Sequence, residues 1–140
     1  MLNTRVRGDV GEQCAEKYLV QKGFKIIGRK YQTYVGEVDL IAVDERGDLV
    51  FVEVRSKWVD RRFEAEKDDF ITPEESVSFP KIRKVEKTAE HFLKNMESIW
   101  SKEVKAGEID DFPDWRIDLV SIVFIRSERK ALIKHYEYIY

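Results

Sequence analysis

Hydrophobic and polar positions alternate with period two along Gly36-Glu37-Val38-Asp39-Leu40-Ile41-Ala42-Val43, and again along Leu49-Val50-Phe51-Val52-Glu53-Val54-Arg55-Ser56-Lys57. Such alternation marks strands with two different faces. The residues between them, Asp44-Glu45-Arg46-Gly47-Asp48, are turn formers, which predicts an antiparallel hairpin. If Val43 faces Leu49 across the turn, then Ile41 faces Phe51, Asp39 faces Glu53 and Glu37 faces Arg55. One face of the hairpin is therefore apolar at the turn end and densely charged at the other. Like charges directly opposite in a sheet cost roughly 0.2–1 kcal/mol, so something positive should sit between Asp39 and Glu53: Arg55, Lys57 or a divalent metal ion. The parity of this register is firm, because a slip of one residue would turn every apolar side chain to the wrong face.

The rest of the chain supplies the layers around the hairpin. Thr4 to Gln21 reads as a helix that stops at Gly23, a good C-terminal cap. Cys14, Ala15, Tyr18 and Leu19 form its buried stripe, and the small residues Gly8, Gly11 and Ala15 predict a close approach to the sheet. Glu12 stands almost directly above Leu19 on the helical wheel. That puts a carboxylate at the rim of the buried face, whereas a helix glutamate is ordinarily just solvated. Phe24–Arg29 reads as a short strand. Trp58 to Pro80 lacks periodicity and reads as an irregular loop, a length without secondary structure that is usually functional or partly disordered. Pro80 opens a second helix, with Ile82, Val85, Ala89, Phe92, Leu93 and Met96 on one face. Lys81, Arg83, Lys84 and Lys87 crowd its first turns, the wrong end for the helix dipole, so these cations are available to a ligand. An acidic connection over Glu108–Asp114 leads to Ile117–Ile125, apolar on both faces and so internal to a sheet. Leu132–Tyr140 has the mixed character of an edge strand. The order α-β-β-β-α-β-β predicts an α/β fold with a helix on at least one face of the sheet.

Composition changes this picture little. The 140 residues make one domain, and the 43% hydrophobic and 12% aromatic content belongs to a folded globular chain. The charged residues, 37% of the total, nearly cancel to −2, so any nucleic-acid surface must come from local clustering. Cys14 is the one cysteine, which excludes a disulfide framework and a cysteine zinc site. Met1 to Arg7 has no signal-peptide core, and no stretch approaches the ~20 apolar residues of a membrane span. A cytoplasmic protein is expected.

The candidate chemistry lies in Glu12, Glu37, Asp39 and Glu53, which this topology gathers at one end of the hairpin. Oxygen ligands suit a hard divalent ion, Mg2+ or Mn2+. Without one, clustered carboxylates raise one another's pKa. A bound ion would relieve the repulsion, polarise a phosphoryl oxygen and activate a water, while Arg55 and Lys57 on the same strand face offset phosphate charge. Metal-assisted phosphodiester hydrolysis is the reaction class this points to.

Asp39 followed by Glu53-Val54-Arg55 resembles the PD-(D/E)XK nuclease signature. More closely, the chain resembles the YraN-like family of small bacterial proteins, identified as endonucleases related to Holliday-junction resolvases. The match runs through Arg7-Gly8, Gly11-Glu12, Ala15, Leu19, Gly23-Phe24, Gly36-Glu37-Val38-Asp39-Leu40-Ile41, Phe51-Val52-Glu53-Val54, Pro73, Ser76-Val77, Lys81 and Arg116-Ile117-Asp118-Leu119-Val120. The resemblance implies a restriction-endonuclease-like mixed sheet with flanking helices, and an endonuclease acting on branched or irregular DNA, with a homodimer as in resolvase-like members. It implies Asp39 and Glu53 as metal ligands with Glu12 completing the site. Arg29, Lys30, Arg61, Arg62, Lys81 and Lys84 are the expected contacts to DNA.

One departure stands out. The family reads Glu-Val-Lys-x-Arg where this chain reads Glu53-Val54-Arg55-Ser56-Lys57. Arginine stays protonated and cannot be a general base, although it can orient water or stabilise the phosphate. Lys57 is about 6.5 Å further along the strand. Two other readings therefore stand beside the nuclease: a catalytically inactive nucleic-acid-binding module of the same fold, and a structural or protein-interaction domain. Asp118, inside an apolar strand, reads as a buried carboxylate held by an arginine or by backbone donors.

Overall fold

A computed structural model describes residues 4–140, with side chains from Val6 onward; Met1–Asn3, read above as lacking a signal-peptide core, lie outside the described residues. Helix α1 (Thr4–Gln21) is followed by β1 (Lys25–Thr33), β2 (Gly36–Val43) and β3 (Leu49–Val59). After the short α2 (Arg62–Ala65) and a 3-10 turn at Glu74–Ser76 come α3 (Phe79–Lys105), β4 (Trp115–Ile125) and β5 (Lys130–Tyr136). The five strands form one sheet in sequence order. All neighbours are antiparallel except β3 and β4, whose parallel pairing requires the crossover that carries α3. The expected mixed α/β sheet with flanking helices is what the structure shows.

Apolar residues explain the layers. On one face Ala15 and Leu19 of α1 pack against Leu40, Ala42, Val50, Val52, Val120 and Ile122. On the other, Val85, Ala89 and Trp100 of α3 cover Ile41, Leu49, Phe51 and Ile117. α1 ends in a Schellman turn: the Phe24 N–H donates to the Leu19 carbonyl and the Gly23 N–H to that of Val20, with Gly23 at a φ of +92°. Of the three small residues, Gly11 and Ala15 are buried. A Cβ on Gly11 would lie 2.9 Å from Ser56 Oγ, whereas one on Gly8 would meet nothing within 4 Å. The tight approach of α1 to β3 thus lies at Gly11 and not at Gly8.

Strand boundaries differ from the expected ones: β4 starts at Trp115 and not Ile117, and β5 covers Lys130–Tyr136 where Leu132–Tyr140 was expected. β1 continues to Thr33, because Tyr31, Gln32 and Thr33 pair with Val38, Glu37 and Gly36. β3 runs on through Trp58 and Val59, carried by its parallel pairing with Phe124 and Ile125. Residues 60–78 are fastened at several points. Arg62 makes a bidentate pair with Glu128, and Glu74 accepts from Ser121 (2.8 Å) and from Tyr136.

Beneath the other end of the sheet lies a buried polar network. Asp118 accepts from Arg116 Nε (2.9 Å), from the Tyr138 N–H (3.1 Å) and pairs with His135 Nε2 (2.8 Å), while Arg116 also donates to Asp44 at 2.7 Å. Asp118 is fully buried; it is held by an arginine and a backbone donor as the sequence suggested, with His135 as an additional partner.

Candidate functional site

The hairpin register is the one inferred from the alternation. Val43 pairs with Leu49, Ala42 with Val50, Ile41 with Phe51 and Leu40 with Val52. There the ladder stops. Instead of a further rung, Asp39 Oδ2 accepts the backbone N–H of Val54 at 2.8 Å. The strands part at this point, while β3 remains paired to β4 through Glu53, Val54 and Arg55. The side-chain alternation of β2 also breaks here: Val38 joins the core under α3, Leu40 the core under α1. The neighbouring strand has a matching irregularity. Lys30 lies between the Arg29–Leu40 and Tyr31–Val38 pairs and adopts a left-handed φ of 49°, a conformation a non-glycine residue rarely takes. A left-handed φ at a non-glycine residue is strained, and such residues cluster at functional sites.

The fork brings together Asp39 and Glu53, the latter only 7% exposed. Burial pushes the Asp39 carboxyl up to about 7, reinforced by the Glu53 charge and only partly opposed by the Val54 N–H. Glu53 is raised as well, by burial first, with Arg55, Lys81 and a side-chain hydrogen bond to Asp39 pulling the other way. Burial and repulsion from neighbouring carboxylates thus make both carboxyls hold a proton more tightly than usual. Arg55 Nε sits 3.3 Å from Glu53 Oε1, yet Arg55 Nε and Nη2 are buried without a hydrogen-bond partner. Buried guanidinium N–H groups are ordinarily satisfied, so this side chain has donors to give to an oxygen-rich ligand.

Glu12 enters from α1. Its carboxyl is raised by burial and then by the Asp39 charge, and Lys30 Nζ stands 3.5 Å from it while pairing with Asp9 at 2.6 Å. Glu37 is exposed; its charge reaches both Asp39 and Glu53. The expected rung between Glu37 and Arg55 does not form, because the β2–β3 ladder ends at Leu40–Val52. Lys57, expected to act beside Arg55, turns its ammonium to the Ile71 carbonyl and over the Phe70 ring at 5.0 Å. That carbonyl belongs to a loop invisible to strand periodicity.

The expected DNA-contacting cations are scattered by pairing. Arg29 is bound to Glu16, Lys30 to Asp9 and Glu12, and Arg62 to Glu128. Arg61 is exposed, and its backbone N–H donates to Glu64. Lys81 and Lys84 are exposed on the first turns of α3; Lys81 acts on Glu53, and the Lys84 stem lies over Gly36. The sequence placed Lys30 as a DNA contact only, although its position opposite Asp39 could have been read from the pairing of β1 with β2.

Among the described residues, the trio whose ligand atoms lie within 4.8 Å of one another is Asp118, His135 and Glu137, not the fork carboxylates. The guanidinium of Arg116 on Asp118 opposes a second cation there. The fork fits a metal differently. Mg2+ keeps several waters and needs only one or two carboxylates beside substrate phosphate, and Asp39 with Glu53 supplies that pair. Glu12 is close enough for the Asp39 charge to raise its carboxyl.

Fold and site together define a three-layer α/β protein with paired carboxylates at a hairpin fork. The chain belongs to the uncharacterised protein family UPF0102, whose model matches residues 11–122, the YraN-like family that its motifs resemble. A UPF0102 protein of Dictyoglomus turgidum is 33% identical over 139 residues, 99% of this chain and 97% of its own. One of Persephonella marina is 34% identical over 118 residues, 84% of each chain. One of Pseudothermotoga lettingae is 35% identical over 111 residues, 79% and 82% of the two chains. No described helix is long and apolar enough to cross a membrane.

Proposed function

We propose that this chain is a divalent-metal-dependent endonuclease that hydrolyses phosphodiester bonds in branched or irregular DNA, with Asp39 and Glu53 as ligands for Mg2+ or Mn2+. The observation that carries the reading is the pair itself: two carboxylates brought together at the fork, one fixed by the Val54 N–H, both raised by burial and Asp39 further by the Glu53 charge, a repulsion a cation would relieve. A bound ion would polarise a phosphoryl oxygen and lower the pKa of an attacking water. The remaining roles belong to the chain. Arg55, always charged, donates its unpaired N–H groups to phosphate oxygens and holds Glu53 in place. Glu12, with a proton affinity raised by burial, is the carboxylate positioned to take a proton from water, which neither Arg55 nor the engaged Lys57 does. Glu37 adds negative charge at the mouth. Lys81 and Lys84 meet the DNA backbone beside the fork.

The test is incubation of the full chain with branched, nicked, single-stranded and duplex DNA in Mg2+ or Mn2+. Cleavage is expected, and it should vanish in Asp39→Asn and in Glu53→Gln. Cleavage that survives both substitutions overturns the reading. The second reading, a binding module without catalysis, is favoured by one observation, the arginine at position 55 with Lys57 held on Ile71. It predicts salt-dependent DNA binding with no cleavage in either metal.

A further inference from the structure

At the same end of the sheet, on the flank of α1 away from Glu12, the parallel register sets Trp58 beside Phe124. Their rings stack, centroids 4.4 Å apart and planes 25° from parallel. Arg126 lies over the Trp58 ring at 5.2 Å. Together with Val10, Arg129 and Lys130 these residues line a groove of about 450 Å³ with mainly apolar walls. The acids near the rim are engaged, Asp60 with Arg126 and Glu128 with Arg62, which leaves Arg129 and Lys130 as its exposed cations. The Trp58 indole N–H is buried without a partner, whereas a buried tryptophan N–H usually finds one.

We propose that this groove binds an unpaired stretch of a DNA strand, with a base stacked on the Trp58–Phe124–Arg126 array and its flanking phosphates on Arg129 and Lys130. An aromatic platform bordered by cations is what sequence-tolerant single-strand binding uses, because every base has a π-face. Planar arginine extends such a stack, and the net positive rim complements the backbone. Trp58 lies five residues beyond Glu53 on β3, an odd spacing that turns its ring to the α1 face of the sheet, beside Val10, while Glu53 has the parity of the α3 face. The inference rests on the reading of DNA as substrate and sharpens it: the preferred target carries an unpaired stretch beside the bond cleaved, on the α1 side of the sheet.

The experiment uses full-length Asp39→Asn protein, so that binding is measured without cleavage. Its ligands are a fluorescein-labelled oligothymidylate and a matched duplex, followed by anisotropy and tryptophan quenching across a salt series. Tight single-strand binding is expected, weakened about tenfold or more by Trp58→Ala and little changed by Trp58→Phe. Arg129→Ala with Lys130→Ala should flatten the salt dependence by a slope of roughly 1.4, about 0.7 for each phosphate no longer neutralised. These two residues are exposed, so that variant tests the groove even where Trp58→Ala fails to fold. Single-strand binding unaffected by the double variant and by a folded Trp58→Ala overturns the inference and leaves the nuclease reading standing. Absence of binding to single-stranded, duplex and branched DNA alike at low salt overturns both.

Discussion

The Asp39 carboxylate takes the Val54 N–H at 2.8 Å, where the next rung of the β2–β3 ladder would have formed. That contact holds the fork open and presents Glu53 to the same space. The titration of Asp39 runs against that bond, which only partly opposes the shift. Burial and the Glu53 charge push the Asp39 carboxyl up to about 7, so the folded state binds a proton more tightly than the unfolded chain. The stability this contributes is present below the ordinary aspartate range near 4 and is lost as pH rises through about 7. Metal-free protein should therefore soften between those values, and Asp39→Asn, which keeps an oxygen for Val54, should remove most of that slope. Chemical denaturation across the pH range in chelator checks it.

The close approach of α1 to the sheet gives a second expectation. A Cβ on Gly11 would stand 2.9 Å from Ser56 Oγ and 3.2 Å from its Cβ. Gly11→Ala should destabilise the fold by about 1–3 kcal/mol through overpacking, and Ser56→Gly in the same chain should recover much of that stability. A denaturant double-mutant cycle measures the coupling; simple additivity would remove Ser56 as the cause.

Hairpin, helix stripes and internal strand were legible because burial writes itself into the sequence as periodicity. The parity of Ile41, Phe51 and Leu49 left one sensible register, and the charged pair at its end marked the fork. What escaped notice depends on single side-chain or backbone choices that periodicity does not encode. Lys30 turns left-handed and reaches Asp9 and Glu12. Lys57 is claimed by the Ile71 carbonyl. His135 reaches Asp118 only through the β4–β5 pairing, where it faces Val120. The expected Asp39–Glu53 rung was a good guide to proximity and a poor one to geometry, because a side chain replaced the backbone in the ladder.

The Arg116–Asp118 pair should behave as a structural element independent of the fork. Both side chains are nearly inaccessible, 3% and 0% exposed, so Asp118→Ala leaves the buried guanidinium with Asp44 alone and takes the acceptor from His135 and the Tyr138 N–H, and should cost about 3–5 kcal/mol. The change is read by urea denaturation, while metal binding by the folded variant stays at its wild-type value.

Acid should undo a different set of interactions. Burial would raise Glu74, yet hydrogen bonds led by that from Tyr136 hold it at about 2. Asp118 is likewise lowered, burial being outweighed by His135 and Arg116. Lowered carboxylates stabilise above their unfolded values and lose that contribution as pH falls, so stability should drop from about pH 4.5 towards 2. Glu74→Ala should blunt the drop. It should also quicken tryptic cleavage within residues 60–78, which Glu74 ties to β4 and β5; an unchanged digestion rate would place the tether elsewhere.

The metal site itself is tested most directly by the melting temperature in Mg2+ or Mn2+ against chelator, at pH 8, for the wild type, Asp39→Asn and Glu53→Gln. A site in the fork predicts a rise of roughly 5–10 °C for the wild type at a concentration about a hundredfold above Kd. The rise should shrink at pH 5, where the proton competes for the pair, and be absent in both variants. A wild-type melting temperature indifferent to either ion, or a shift retained in full by Asp39→Asn and Glu53→Gln, would contradict the account.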